Sequence, residues 1–253
     1  MRISDFISVA VLAAVLSACA APRQGPPPRV IDRVLSTAPG KAQPSAIVST
    51  EIAYLRAARE DGQFTAGLAF AAPGAIFHTR NGGVPARALF ESLPNPETST
   101  EWGPRTVVMS CDGSLALSVG RFRDPEGFVG NYVTTWARQS DASYKWTYDV
   151  AGRDNPQPPP RREFEDGDIV VTAIDAVQGL IATCPRAGEA VPPPPAIAIG
   201  EDGSSDAKLS RDGTLRWRWE HRGGGIKYVT AQYFYEGEWV TAIEESLASP
   251  PEG

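Results

Sequence analysis

Hydrophobic positions change their period along this chain, and each change predicts a different element. After an apolar run at 6–16, interrupted only by Ser8, a helical pattern begins at Pro44 and Ser45: Val48, Ile52 and Leu55 recur at helical spacing, Glu51, Arg56 and Arg59 take the other side, and Gly62 stands as a stop. "QFTAGLAF" at 63–70 reads as a second short helix, and "AIFHT" at 75–79 alternates as a first strand. "NGG" then turns the chain, and Ala86, Leu89, Phe90 and Leu93 predict a third short helix that ends at Pro94. From Thr106 the period is two. Strands are expected at 105–111, 114–122, 130–138 and 144–150, joined by "DG", "DPEG" and "QSDAS" turns. Beyond "NPQPPPRR" the pattern is all strand: "DIVVTAIDAV", "GLIATCP", "TLRWRWE", "IKYVTAQYFYE" and "EWVTAIEE", with the "GGG" at 223–225 as a hairpin turn.

Helices followed by an antiparallel meander make an α+β arrangement, in which a curved sheet wraps the helices. The expected organisation is a signal segment at 1–18, a proline-rich tether at 19–44, an α+β domain at 45–153, a linker at 154–162 and a small antiparallel β domain at 163–253. A proline loop, "VPPPP" at 191–195, interrupts the last of these, and no internal repeat is evident. In "LRWRWE" the alternation places Leu215, Trp217 and Trp219 on a core face and Arg216, Arg218 and Glu220 opposite. The other use of Trp217 and Trp219 is a stacking platform for envelope sugars.

The hairpin "GNYVTTWARQSDASYKWTYD" carries the most aromatic surface. Plain alternation puts Tyr132, Thr134 and Trp136 on one face of its first strand and Tyr144, Trp146 and Tyr148 on one face of its second. Asp149 then falls on the opposite face, with Lys145 and Thr147. Helices, a ligand or a second copy of the chain must cover the aromatic side.

"EWGPRTVVMSCDGSLALSVGRF" followed by "GNYVTTWARQSDASYKWTYDVAG" resembles the nuclear transport factor 2-like superfamily, in particular its branch of small exported bacterial proteins, over about residues 46–152. The matching features are Trp102 and Pro104 ahead of a strand, the Asp112-Gly113 turn, Gly120 closing the next strand, and the strands of Trp136 and Trp146 ending in Asp149. The resemblance implies a cone-shaped helix-plus-sheet domain with a cavity, often dimeric through its sheet. That fold hosts dehydratases, isomerases, cyclases and domains without chemistry. Tyr54, Trp102, Tyr132, Trp136 and Tyr148 are the candidate ligand-binding residues of such a cavity. His78 and Asp149 are its candidate catalytic groups, although they form no pair at a family motif position.

Charge and cysteines narrow the class. A net charge of -6 speaks against nucleic acid, which is held by clustered Lys and Arg. The apolar run at 6–16 is too short for a spanning helix of about 20 residues. With "LSAC" at 16–19 it resembles a bacterial lipoprotein signal, which implies lipidation of Cys19, and Ala20 after it favours the outer membrane, facing the periplasm. An oxidising periplasm favours pairing Cys111 with Cys184 in a disulfide that joins the two regions, with two buried free thiols as the alternative. His78 and His221 lie far apart in sequence, and the Asp202, Ser204, Asp206 loop has Ala207 and Gly213 where a calcium loop needs Gly and Glu, so no metal or cofactor is expected. The function expected is non-catalytic ligand binding or scaffolding on a membrane-anchored envelope protein, with a small-molecule isomerase, dehydratase or cyclase as the alternative. A polar group in an apolar pocket would favour chemistry or binding; a filled interior would favour a scaffold.

Overall fold

Proline in the first helical turn is tolerated because no intrahelical bond is lost there, and α1 (Pro44–Glu60) begins in this way. The structure is a computed structural model that describes residues 41–159, 176–186, 189–197 and 204–249. The signal segment, Cys19, the tether through residue 40 and most of the strand expected at 168–177 lie outside the described residues. Then follow α2 (Gln63–Phe70), β1 (Ala71–Thr79), β2 (Gly82–Pro85), α3 (Ala86–Ser92), β3 (Glu101–Met109), β4 (Leu115–Arg123), β5 (Val129–Arg138), β6 (Tyr144–Arg153), β7 (Gln178–Ile181), β8 (Ser205–Leu209), β9 (Leu215–Arg222), β10 (Ile226–Tyr235) and β11 (Glu238–Leu247). The fold is mixed α+β, with few helices, a large curved sheet and a second, small antiparallel sheet.

Among the described residues the first sheet has seven strands in the order β2-β1-β6-β5-β4-β3-β7, and the second has four in the order β11-β10-β9-β8. In the first sheet β1 runs parallel to β6 and β7 parallel to β3, while the meander between them is antiparallel. One face of this sheet carries the helices: Ile47 of α1, Ala86 and Phe90 of α3, and Val107, Met109, Ala116, Trp136 and Trp146 of the strands form one buried cluster. The other face packs on the second sheet, through Val108, Leu117, Val133, Tyr148 and Val150 against Leu215, Trp217, Trp219, Val229, Ala231 and Ile243. The residues from 39 onward form one compact unit. Its core therefore crosses the proline run at 154–162, and β7 from beyond that run extends the first sheet.

Cys111 and Cys184 are joined in a disulfide that closes a separation of 73 residues. The segment leading into Cys184 is tied to both sheets, since Ala182 N–H donates to Met109 O at 2.9 Å and Thr183 N–H donates to Phe234 O at 2.8 Å.

A repeat that the sequence reading missed lies beside this disulfide. "SCDGSL" at 110–115 and "SRDGTL" at 210–215 form the same turn. In each, the Ser Oγ donates to the Asp Oδ1, at 2.7 and 2.6 Å, and the Ser N–H donates to the Leu carbonyl, at 2.9 and 2.8 Å. Gly113 and Gly213 supply the positive φ that both turns require. The turns also touch reciprocally: Cys111 N–H donates to Thr214 Oγ1 at 3.0 Å and Arg211 N–H to Ser114 Oγ at 3.3 Å. The signal was present as a six-residue motif but is too short to stand out from ordinary turn chemistry.

Candidate functional site

Two departures from regular periodicity build the site. The first is on α1, whose buried face is Ile47, Glu51 and Ala58, whereas Ile52 is 55% exposed. The expected face, with Ile52 inward and Glu51 outward, is thus turned by about one residue, roughly 100° of helix. Polar partners on the sheet explain the rotation. Tyr132 Oη donates to Glu51 Oε2 at 2.5 Å, and Glu51 is only 2% exposed. Burial pushes the Glu51 carboxyl up to about 7, against the lowering effect of the Ser118 and Tyr132 hydroxyls, and the charge of Asp149 raises it further.

The second departure is a β-bulge. Thr135 pairs with Tyr148 but Trp136 pairs with Trp146, so Thr147 is an extra residue on β6. A single extra residue inverts the alternation beyond it. Trp146 packs on the helices, Tyr148 faces the second sheet, and Asp149 returns to the helical side. This corrects the expectation that Tyr144, Trp146 and Tyr148 share a face with Asp149 behind them. Thr134 Oγ1 donates to Asp149 Oδ1 at 2.5 Å, and burial raises the Asp149 carboxyl to about 6 while Thr134 lowers it.

Between the helices and the sheet Tyr132, Thr134 and Asp149 reach a cavity of about 150 Å³, the size of a void that admits one benzene molecule, while Glu51 lies behind Tyr132 and outside the wall. The cavity walls are Tyr54, Phe64, Phe77, Phe90, Trp102, Phe122, Tyr132 and Trp136, with Gln63, Thr100, Thr134 and Asp149 as polar wall residues. The rings hold one another: Tyr54 stacks on Phe70 at 5.0 Å and meets Trp102 edge-on at 4.8 Å, and Phe90 lies 5.2 Å from both Phe64 and Phe77. Trp136 Nε1–H donates to Ser118 Oγ at 2.9 Å, which fixes that indole in the wall. The Tyr54 and Tyr132 hydroxyls are pushed upward, first by burial and then by the neighbouring carboxylates, so both remain protonated donors.

Of the residues singled out from sequence, Tyr54, Trp102, Tyr132, Trp136 and Asp149 come together at this cavity, and His78 and Tyr148 do not. His78 is 2% exposed between the two sheets. Its Nδ1 is 2.6 Å from Tyr148 Oη and its Nε2 is 3.1 Å from His221 Nδ1, with Trp219 edge-on at 4.9 Å. Burial lowers the His78 imidazole to about 4, with the His221 and Lys227 charges acting in the same direction. Held neutral and bonded at both nitrogens, it serves the packing of the sheets, on the side of β1 away from the cavity. Glu51 is the group the sequence reading placed in solvent. A lone acid within an otherwise apolar helical stripe, at four residues from Ile47 and seven from Ala58, was the signal for it.

Compared with protein-family models and with curated proteins, the chain matches none.

Proposed function

We propose that this chain is a lipid-anchored protein of the bacterial envelope whose α+β body, a nuclear transport factor 2-like cone with an added sheet, binds a small apolar ligand in the cavity between helices and sheet. The observation that carries the binding reading is Asp149, a hydrogen-bond acceptor set in the wall of an aromatic cavity of about 150 Å³. An apolar pocket with a few convergent polar groups is the usual form of a ligand site, and a scaffold would fill that space with side chains. The anchor rests on "LSAC" at 16–19 after the apolar run, with Cys19 as the lipidated residue and the outer membrane as its address. A ring bearing a donor suits the site: the ring meets Trp102, Trp136 and Phe90, and its hydroxyl donates to Asp149.

Titrating phenol and toluene against the tryptophan fluorescence of the full chain tests the reading. Phenol should bind more tightly than toluene by about tenfold, as expected for a hydrogen bond to a charged acceptor, and Asp149→Leu should erase that preference while toluene still binds. Equal binding of the two by the unaltered chain would remove Asp149 from the site. For the anchor, labelled palmitate should enter the unaltered protein and not the Cys19→Ser variant.

Glu51 favours a second reading, acid–base chemistry of the isomerase, dehydratase or cyclase type. A carboxyl raised to about 7 is half protonated near neutrality and can give a proton to the cavity by way of the Tyr132 hydroxyl bonded to it, while Asp149 in the wall can accept one. A turnover found by substrate screening that is bell-shaped in pH, and loses its basic limb in Glu51→Gln, would move the assignment from binding to catalysis.

A further inference from the structure

A second bulge lies at the approach to the cavity. On β3, Pro104 pairs with Gly120 and Thr106 with Val119, so Arg105 is the extra residue. Bulges gather near functional sites, where they re-aim a side chain. Here the bulge sets Arg105 on the wall of an open cleft of about 890 Å³. Trp102 and Phe122 line both this cleft and the cavity, so the two adjoin at these rings.

The charges along the cleft do not cancel. Arg59 pairs with Glu101 at 3.0 Å, Arg121 holds both carboxylate oxygens of Asp154 at 2.8 and 2.5 Å, and Glu126 pairs with Arg153 at 2.7 Å. Two lining guanidinium groups remain. Arg105 has no ion-pair partner among the described residues, and Arg123 donates through Nη1 to the Gly127 carbonyl at 3.2 Å, with no carboxylate partner among them. In a chain of net charge -6, two guanidinium groups without a carboxylate partner among the described residues, in a cleft that adjoins an aromatic cavity, mark where an anion is welcome.

We propose that the site takes a small amphipathic anion, its benzene-sized apolar head in the cavity and its carboxylate or phosphate held in the cleft by Arg105 and Arg123. This rests on the binding reading of the cavity and adds the chemical class of the ligand's other end. Both arginines are exposed, so the contribution is one of charge and bidentate hydrogen bonding and weakens with salt.

Calorimetric titration of the full chain with phenylbutyrate, phenylbutyl phosphate and phenylbutanol separates the two readings, because the three probes share one apolar part. At low salt at least one anion should bind roughly tenfold more tightly than the alcohol, and the preferred anion identifies the head group. In the Arg105→Gln/Arg123→Gln protein the anions should fall to the affinity of the alcohol, which itself stays unchanged. An alcohol that binds the unaltered chain as well as both anions overturns the proposal. So does an anion advantage that survives in the double variant, or a loss of the alcohol there as well. Failure of all three probes to bind the unaltered chain overturns the cavity reading and this inference with it.

Discussion

Three buried titratable side chains set opposite pH dependences. Glu51 has a folded-state value of about 7 against an ordinary 4.5. Between those values the folded protein holds a proton that the unfolded chain has released, so this group lowers stability as pH rises through the window, and the loss is complete above about 7. Asp149, raised to about 6, acts in the same sense. Glu51→Gln keeps an acceptor for Tyr132 and removes the charge. Thermal melts across pH should show the variant more stable than the unaltered protein by about 1–3 kcal/mol near pH 8, with no difference near pH 4. His78 runs the other way. Its folded value of about 4 lies below the ordinary 6.5, so the stability it permits is present above about 6.5 and lost as pH falls toward 4. A His78→Gln protein should lose less of its melting temperature on acidification than the unaltered one; an equal loss would place the acid sensitivity elsewhere.

At the scale of elements, the site depends on register. α1 shows how a correct element can carry a wrong face. Its helical period was legible, but Ile52 and Glu51 are neighbours, and only the Tyr132 and Ser118 hydroxyls on the sheet decide which of them turns inward. Ile47→Ala should cost about 2–5 kcal/mol in chemical denaturation as a buried truncation, while Ile52→Lys should change stability by less than about 0.5 kcal/mol. The bulge on β6 is the sharper case. Deleting Thr147 restores regular alternation, which would press Asp149 against Trp217 and Trp219 and aim Tyr148 at the helices. Burying an unpaired carboxylate in that way is severely destabilising, so the deletion is expected to abolish cooperative unfolding, whereas Thr147→Val, which keeps the residue count, should retain it.

For the molecule as a whole, the second sheet covers the face of the first that a second copy would otherwise have to cover. Cutting the chain after residue 159 would bare Val108, Leu117, Val133, Tyr148 and Val150, a contiguous apolar face that soluble monomers do not leave open. Light scattering should find that fragment self-associated and the full body monomeric at the same concentration. The disulfide is a smaller constraint than this shared core. Closing a separation of 73 residues is worth about 4 kcal/mol in the simple loop model. A Cys111→Ser/Cys184→Ser protein should therefore melt earlier but in a single transition, with Trp217 and Trp219 still buried by fluorescence.

The sequence by itself determined most of the elements, because period, turn residues and proline placement are local; the short strands β2 and β8 carry too little pattern to be read. α2 was read at its observed bounds, the four strands of the β3 to β6 meander were found within a few residues, and the α+β class followed from their order. The cysteine pairing was also within reach, since Cys111 and Cys184 are the only cysteines beyond residue 19. Tertiary structure alone decided which faces meet. Single-residue bulges at Arg105 and Thr147 carry no composition signal, yet each inverts the alternation beyond it, and so Asp149 reached the cavity while Tyr148 left it. Likewise His78 and His221 lie far apart in the chain, and only the packing of sheet on sheet brings them within hydrogen-bonding distance, which turns a catalytic candidate into part of the core.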